Sequence, residues 1–351
     1  MKKKFYRAAL MLALSAFMLL PLNLPSVKAA DAVALDMYFP IDIDEHWAFD
    51  ELDNFINADL LRGYKDQEGI ITVKPNNSIS RAEFVAILVR VLDLHSEETG
   101  KSFTDVEESR WYAEPVRVAS SLGIVNGLSE TKFGPEKQIT RGEIATLVVR
   151  AFASTVSFEG EAKKFVDVPD YFATPFIEQA SQAGIVKGST ADLFKPFANA
   201  TRAESVVMLQ RALDLQHSNL PEDSALTSVI LDNEAAELQI YKDKAYDQLG
   251  ALYEKYTTGY QLASGLSFAE MLPLAIEDGL SIEMEKVADQ KLEVISKTDR
   301  FAVVESTGGS YKITVTDGED TSIDNESTDG TYLLKKMSDG QWKVYNFYLA
   351  E

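Results

Sequence analysis

The 351-residue chain contains no cysteine and only three histidines, His46, His95 and His217. The fold therefore has to stand without disulfides, and no thiolate is available as a nucleophile or metal ligand. Basic residues are also scarce: 34 Lys and Arg face 55 Asp and Glu, a net charge of −21. A surface that acidic repels nucleic acid and anionic lipid, and no basic stripe with interleaved aromatics interrupts it. No nucleophile motif, metal-ligand spacing or glycine-rich phosphate loop is present, so the sequence predicts no cofactor, no metal and no catalytic residue. Long apolar runs are missing as well, apart from Ala8 to Leu20.

That run follows Lys2, Lys3, Lys4 and Arg7 and stops at Pro21. It is too short for a permanent membrane span. Val27-Lys28-Ala29 supplies the small residues of a cleavage site, so residues 1–29 read as a secretory signal peptide. Removing its five basic residues, Lys28 included, takes the net charge from −21 to −26. The expected product is secreted and meets the membrane only through the cleaved signal.

What is present is a triplication. Ser80-Arg81-Ala82-Glu83, Thr140-Arg141-Gly142-Glu143 and Thr201-Arg202-Ala203-Glu204 are near copies, their arginines roughly 60 residues apart. A period of that length predicts three helical modules. Each module has a leading aspartate (Asp42, Asp105, Asp167) and an aromatic pair followed by alanine (His46-Trp47, Trp111-Tyr112, Tyr171-Phe172). A turn glycine follows (Gly63, Gly127, Gly188), then a proline (Pro75, Pro135, Pro196) before the second helix. The second helix of the middle module carries Ile144, Leu147, Val148, Ala151 and Phe152 on one face. The first module departs twice: Asp59 replaces the helix-ending Gly123 and Gly184, and its turn is longer, through Asp66-Gln67-Glu68-Gly69. In the third, Ser205 replaces the apolar Phe84 and Ile144. These differences predict three non-equivalent sites.

Ser/Thr-x-x-Glu ahead of an apolar helix is a capping box, which accounts for the hydroxyl and the glutamate. The arginine between them is not accounted for, because a cation at the first helical position opposes the helix dipole. Two roles are open. One is a salt bridge to a leading aspartate. The other is capture of an anion with the help of free amides at the helix N-terminus. Arg90, Arg150 and Arg211 lie in last turns, where the dipole favours a cation.

These landmarks resemble the S-layer homology module of bacterial surface proteins, over residues 39–215. The resemblance implies an all-α pseudo-threefold bundle of three repeats, at 39–95, 102–155 and 164–215. It also implies binding of secondary cell-wall polysaccharide, pyruvylated on N-acetylmannosamine, and a place in the wall or on the surface of a bacterium. On this reading Arg81, Arg141 and Arg202 hold the carboxylate in grooves between modules. Gly63, Gly127 and Gly188 let backbone approach the sugar, and Asp42, Asp105 and Asp167 bind hydroxyls or orient the arginines. Trp47, Tyr112 and Phe172, or their neighbours His46, Trp111 and Tyr171, either stack on a sugar face or pack in the core; the favoured stacking set is Trp47, Trp111 and Tyr171.

Residues 216–225, broken by Pro221, read as a linker. Residues 226–351 then change period. A long helix is expected from Leu226 to Tyr260 and a second from Phe268 to Glu277. Strands follow at Lys291–Lys297, Phe301–Ser306, Tyr311–Thr316, Tyr332–Lys336 and Trp342–Leu349. That order predicts a small α+β domain with a curved antiparallel sheet, similar to the NTF2-like kind. Its carboxylates Glu277, Asp278, Glu283 and Glu285 read as solvated. The expected protein is a non-catalytic, wall-anchored surface protein whose C-terminal domain offers a ligand- or protein-binding surface to an unknown partner. The rivals are a tethered enzyme and a lattice-forming surface-layer subunit.

Overall fold

In all three modules the same cap starts the second helix. Ser80, Thr140 and Thr201 accept from the N3 amide with their hydroxyls, and Glu83, Glu143 and Glu204 accept from the cap amide in return. The computed structural model describes residues 34–350, and the expected signal segment 1–29 lies outside the described residues. The chain divides into two units: 40–55 with 60–219, and 34–39, 56–59 with 220–350.

The first unit is helical. Its elements are most of α1 (Phe49–Asn57, the last two residues of which fall in the other unit), then α2 (Arg81–Val91), α3 (Ala113–Ser121), α4 (Arg141–Phe152), α5 (Thr174–Gln182) and α6 (Arg202–Leu213). The lengthened first turn forms a two-stranded ribbon, β1 (Tyr64–Lys65) with β2 (Ile71–Thr72). The first helix of each module ends on a left-handed residue: Asp59 at φ 59°, Gly123 at 72° and Gly184 at 74°. Asp59 takes the glycine conformation, which aspartate tolerates better than most side chains. Ser205 is fully buried, and its hydroxyl donates to the Thr201 carbonyl at 2.8 Å, so the polar atom in that core is satisfied.

The modules are tied in a closed cycle. Ile139 N–H donates to Ile79 O, Ala200 N–H to Ile139 O, and Ile79 N–H to Ala200 O, at 3.0, 3.0 and 3.1 Å. Each residue just ahead of a cap thus pairs with its counterparts in both other modules.

The second unit holds α7 (Asp223–Asp243), α8 (Leu249–Tyr256) and α9 (Gly259–Glu277), then seven strands. The expected continuous helix is interrupted: Lys244 is left-handed at φ 56° and closes α7 with bonds to Ile240 O and Tyr241 O. The strands are β3 (Leu280–Ala288), β4 (Lys291–Lys297), β5 (Phe301–Thr307), β6 (Ser310–Asp317), β7 (Asp320–Ser327), β8 (Gly330–Lys336) and β9 (Trp342–Leu349). They form two antiparallel sheets, β3-β6-β7 and β4-β5-β8-β9, instead of one curling sheet. Helix α7 serves both. Leu226 and Ile230 pack on the four-stranded sheet, whereas Ile240 and Tyr241 join the core of the three-stranded one.

Candidate functional site

The three motif arginines are nearly inaccessible, 5%, 6% and 4% exposed at Arg81, Arg141 and Arg202. Each reaches into the next module. Arg81 donates from Nε to Phe133 O at 3.1 Å and from Nη1 to Glu143 Oε1 at 3.1 Å. Arg141 donates to Phe194 O at 2.8 Å and to Glu204. Arg202 donates to Val73 O at 2.8 Å and to Glu83 Oε1 at 3.3 Å, closing the cycle. The partner is therefore the cap glutamate of the next module and not a leading aspartate. One glutamate oxygen serves its own cap amide and the other the incoming arginine. Burial pulls the Arg81 guanidinium below its usual pKa, with Glu143 opposing that shift. Burial also raises Glu83, but the Tyr64 hydroxyl, the Ser80 groups and Arg202 outweigh it and hold this carboxyl low.

The helix amides are spent too. Arg81 and Ala82 N–H donate to Lys137 O and Pro135 O. Arg141 and Gly142 donate to Ala198 O and Pro196 O, and Arg202 and Ala203 to Asn77 O and Pro75 O. With N3 bound to the cap hydroxyl, the first three amides of each helix have partners, so these N-termini are not open anion sites.

The leading aspartates hold backbone. Asp42 accepts from Val73 and Lys74 N–H, each at 2.8 Å. Asp105 accepts from Phe133 and Gly134 at 2.9 Å, and Asp167 from Phe194 and Lys195 at 2.8 and 2.7 Å. The second amide of each pair belongs to a left-handed residue, Lys74, Gly134 or Lys195. The first belongs to the residue whose carbonyl receives an arginine. Each aspartate and the incoming arginine thus bind the amide and the carbonyl of one and the same residue, Val73, Phe133 or Phe194. Burial pushes Asp105 and Asp167 up, but the backbone donors, with Lys132 near the first and Arg141 near the second, more than offset it and keep both carboxyls below their usual range.

Gly127 and Gly188 are left-handed, at φ 82° and 87°. A Cβ there would lie 2.5 Å from the Phe103 ring and 2.7 Å from that of Phe165. Gly63 lacks that conformation; an added Cβ would meet Ile71 at 2.9 Å, because its turn opens into the β1–β2 ribbon.

The aromatic pairs are offset by one residue in the middle module. Trp47, Trp111 and Phe172 each stand two residues before a helix and are 64%, 62% and 62% exposed. Their successors Ala48, Tyr112 and Ala173 are buried. Tyr171 is the counterpart of His46 and Arg110. It is half-buried against Phe197, ring centres 5.0 Å apart, with its hydroxyl in the space that Gly142 leaves. The third exposed platform is therefore Phe172, not Tyr171. The shared alanine after each pair hid the offset, whereas counting back from the arginines lands on Trp111 and Phe172 alike.

A cavity of about 270 Å³ brings the modules together. Arg81 comes from the first, Gly127, Glu143 and Arg150 from the second, and Phe172 from the third. By the same cycle the counterparts are Arg141, Gly188, Glu204, Arg211 and Trp47, then Arg202, Gly63, Glu83, Arg90 and Trp111. The last set is altered by the lengthened first turn, which meets the third module's arginine instead of its own. Tyr64 lies 4.8 Å from the Arg202 guanidinium and donates to Glu83 at 2.5 Å. It replaces the shelf that Phe133 and Phe194 provide under Arg81 and Arg141, a position occupied by Val73 in the first module. Burial moves the Tyr64 phenol up to about 12. Arg202 also donates from Nη2 to Arg62 O at 3.2 Å. Of the last-turn arginines, Arg90 and Arg211 bind carbonyls just past a first helix, Leu60 O and Ile185 O, and Arg150 lies on the Phe176 ring.

In the other unit, Glu277, Asp278, Glu283 and Glu285 are exposed as expected. Two carboxylates of α7 are not: Glu234 is 9% exposed and Glu237 4%. Tyr253 donates to Glu237 at 2.9 Å, Tyr311 donates to Glu234, and Lys286 Nζ lies 3.2 Å from Glu234. Sequence reading passes over this pair, because spaced acids on a long helix look solvated. No cluster of three or more metal-ligating side chains exists among the described residues. Nor is any described helix long and apolar enough to cross a membrane.

Comparison with known proteins agrees with the repeat. The amylopullulanase of Thermoanaerobacterium thermosulfurigenes is 30% identical over 179 residues, 49% of this chain and 9% of that protein. The surface-layer 125 kDa protein of Lysinibacillus sphaericus is 30% identical over 217 residues, 60% of this chain and 17% of its own. The cellulosome-anchoring protein of Acetivibrio thermocellus is 30% identical over 165 residues, 45% and 36%. The chain thus spans well under half the length of these relatives. Among solved structures, the intermembrane space region of the chloroplast protein ARC6 aligns with 37% of this chain and 99% of its own, at 19% identity and a TM-score of 0.29, too low to argue from. Residues 42–85, 102–145 and 164–204 match the S-layer homology domain family, and the chain carries three tandem S-layer homology domains.

Proposed function

We propose that this chain is an exported bacterial surface protein, held non-covalently on secondary cell-wall polysaccharide by its three S-layer homology domains. The closed hydrogen-bond cycle supports a pseudo-threefold bundle with a groove at each module junction. The observation that carries the reading is the groove of Arg81, Glu143, Arg150 and Phe172. Two guanidiniums against one carboxylate leave it net positive on a chain of net charge −21. An anionic sugar substituent, such as a pyruvate ketal, fits that balance, and an exposed ring beside it suits a sugar face. The names of two relatives, a surface-layer protein and a cellulosome-anchoring protein, support the same role. The C-terminal unit presents a ligand- or protein-binding surface and is not catalytic. In support, Glu234 and Glu237 are partnered by tyrosines and Lys286 and do not line the cavity between α7 and β3.

Purified walls test this directly. The chain without residues 1–29 should sediment with walls and stay in solution once the polysaccharide is extracted. Trp111→Ala and Phe172→Ala should each weaken wall binding by about 0.5–1.5 kcal/mol, the scale of an aromatic contact. Both side chains are mostly exposed, so melting temperatures should hold. Equal sedimentation with intact and extracted walls would overturn the proposal.

A further inference from the structure

The C-terminal unit has a cavity of its own, between the last turns of α7 and strand β3, with a volume of about 420 Å³. Small-molecule sites run from ~300 to ~1,000 Å³. The floor is apolar: Leu238 and Tyr241 from α7 meet Ile282 and Met284 from β3. Tyr241 and Ile282 belong to the buried core, which fixes the floor, and Met284 is only partly buried. An unbranched thioether there adapts to the shape of what it meets.

The rim carries three lysines, Lys242 and Lys244 on one wall and Lys286 on the other, with Glu283 beside them. Each of the first two has a local reason to be where it is. Lys242 lies in the last turn of α7, where the dipole favours a cation, and Lys244 closes the helix. Neither reason applies to Lys286, which comes from a strand. Its ammonium is held by Glu234 at 3.2 Å and Asp289 at 2.8 Å. Those contacts engage two of its three donors and fix its place on the rim.

We propose that this cavity binds a small amphipathic anion, with an apolar body against Leu238, Tyr241, Ile282 and Met284 and an acidic head group among Lys242, Lys244 and Lys286. Charge selects the head group, since Lys242 and Lys244 line the opening and outnumber its one lining carboxylate, Glu283, on an otherwise acidic protein. Size selects a small ligand over a second polypeptide. The inference rests on the reading that the C-terminal unit is a binding module, and names its ligand class.

Calorimetry in solution, with the full chain lacking residues 1–29, tests it without cell walls. Dodecanoate is the anionic probe and dodecyltrimethylammonium the cationic control, both below their micelle concentrations. One dodecanoate should bind per chain, at least tenfold more tightly than the cation. Lys242→Gln with Lys244→Gln should weaken it tenfold or more, with the melting temperature lowered only by the small dipole contribution of Lys242, because both side chains are exposed. Met284→Trp, which fills the floor and leaves the lysines in place, should also abolish binding. Failure of the wild type to bind dodecanoate, equal affinity for the two probes, or full affinity in both variants would overturn the site. Normal wall sedimentation by the same sample would show that only this site, and not the anchoring, had failed.

Discussion

Arg141→Ala is expected to destabilise the helical unit by roughly 3–5 kcal/mol, the scale for breaking one side of a buried charge pair. The side chain is 6% exposed, and its loss would leave one oxygen of the partly buried Glu204 and the Phe194 carbonyl without the arginine that serves them, while the other Glu204 oxygen keeps the Thr201 amide. The gain from removing a cation at the first helical position is at most about 1 kcal/mol, so the loss wins. At about 2–4 °C per kcal/mol for a unit of this size, the melting temperature should fall by about 6–20 °C. Arg141→Lys should fall between, because an ammonium lacks the planar fork that serves a carbonyl and a carboxylate together. Pairing Arg141→Met with Glu204→Gln should recover part of the loss, since the uncompensated charge is then absent while the Thr201 cap amide keeps its acceptor. Thermal melts decide the matter. An unchanged melting temperature in Arg141→Ala, accompanied by lost wall binding, would assign the arginine to the ligand alone.

The second large effect is a pH dependence in the C-terminal unit. Glu237 is pushed up to about 7 by burial, with the Glu234 charge adding to the shift and the Tyr253 hydroxyl opposing it. Around it stand Glu234, Lys286 and the phenols of Tyr241, Tyr253, Tyr311 and Tyr332. The folded state therefore keeps a proton that the unfolded chain releases near its ordinary value of 4.5. The sign follows: stability is fully present below pH 4.5 and is lost as pH rises through about 7. The whole span is on the order of 3 kcal/mol, at 1.36 kcal/mol per pKa unit. Urea melts at pH 5 and pH 8 should show the loss. Glu237→Gln, which still accepts from Tyr253, should be less sensitive by about that amount. An equal pH slope in wild type and Glu237→Gln would mean that Glu237 is not the group responsible.

Local chemistry was open to reading from the chain alone. The capping boxes follow from two residues each, and the left-handed helix ends at Gly123 and Gly184 from one residue each. The strands at Lys291–Lys297 and Trp342–Leu349 follow from their period and flanking turns. Strand β7 did not announce itself, because Asp320–Ser327 is polar on both faces and lies at a sheet edge, where no apolar alternation is required. What only the tertiary structure decided concerns partners distant in sequence. The arginines choose the next module's glutamate, a contact across about 60 residues or more that no local pattern encodes. The lengthened first turn acts on Arg202 for the same reason, since the cycle returns the third module to the first. Glu234 and Glu237 look like ordinary helix-surface acids until two sheets close over α7 and take them from water. The sequence by itself determined that three capped arginine modules exist; packing decided what each arginine touches, because burial and charge pairing depend on which surfaces meet.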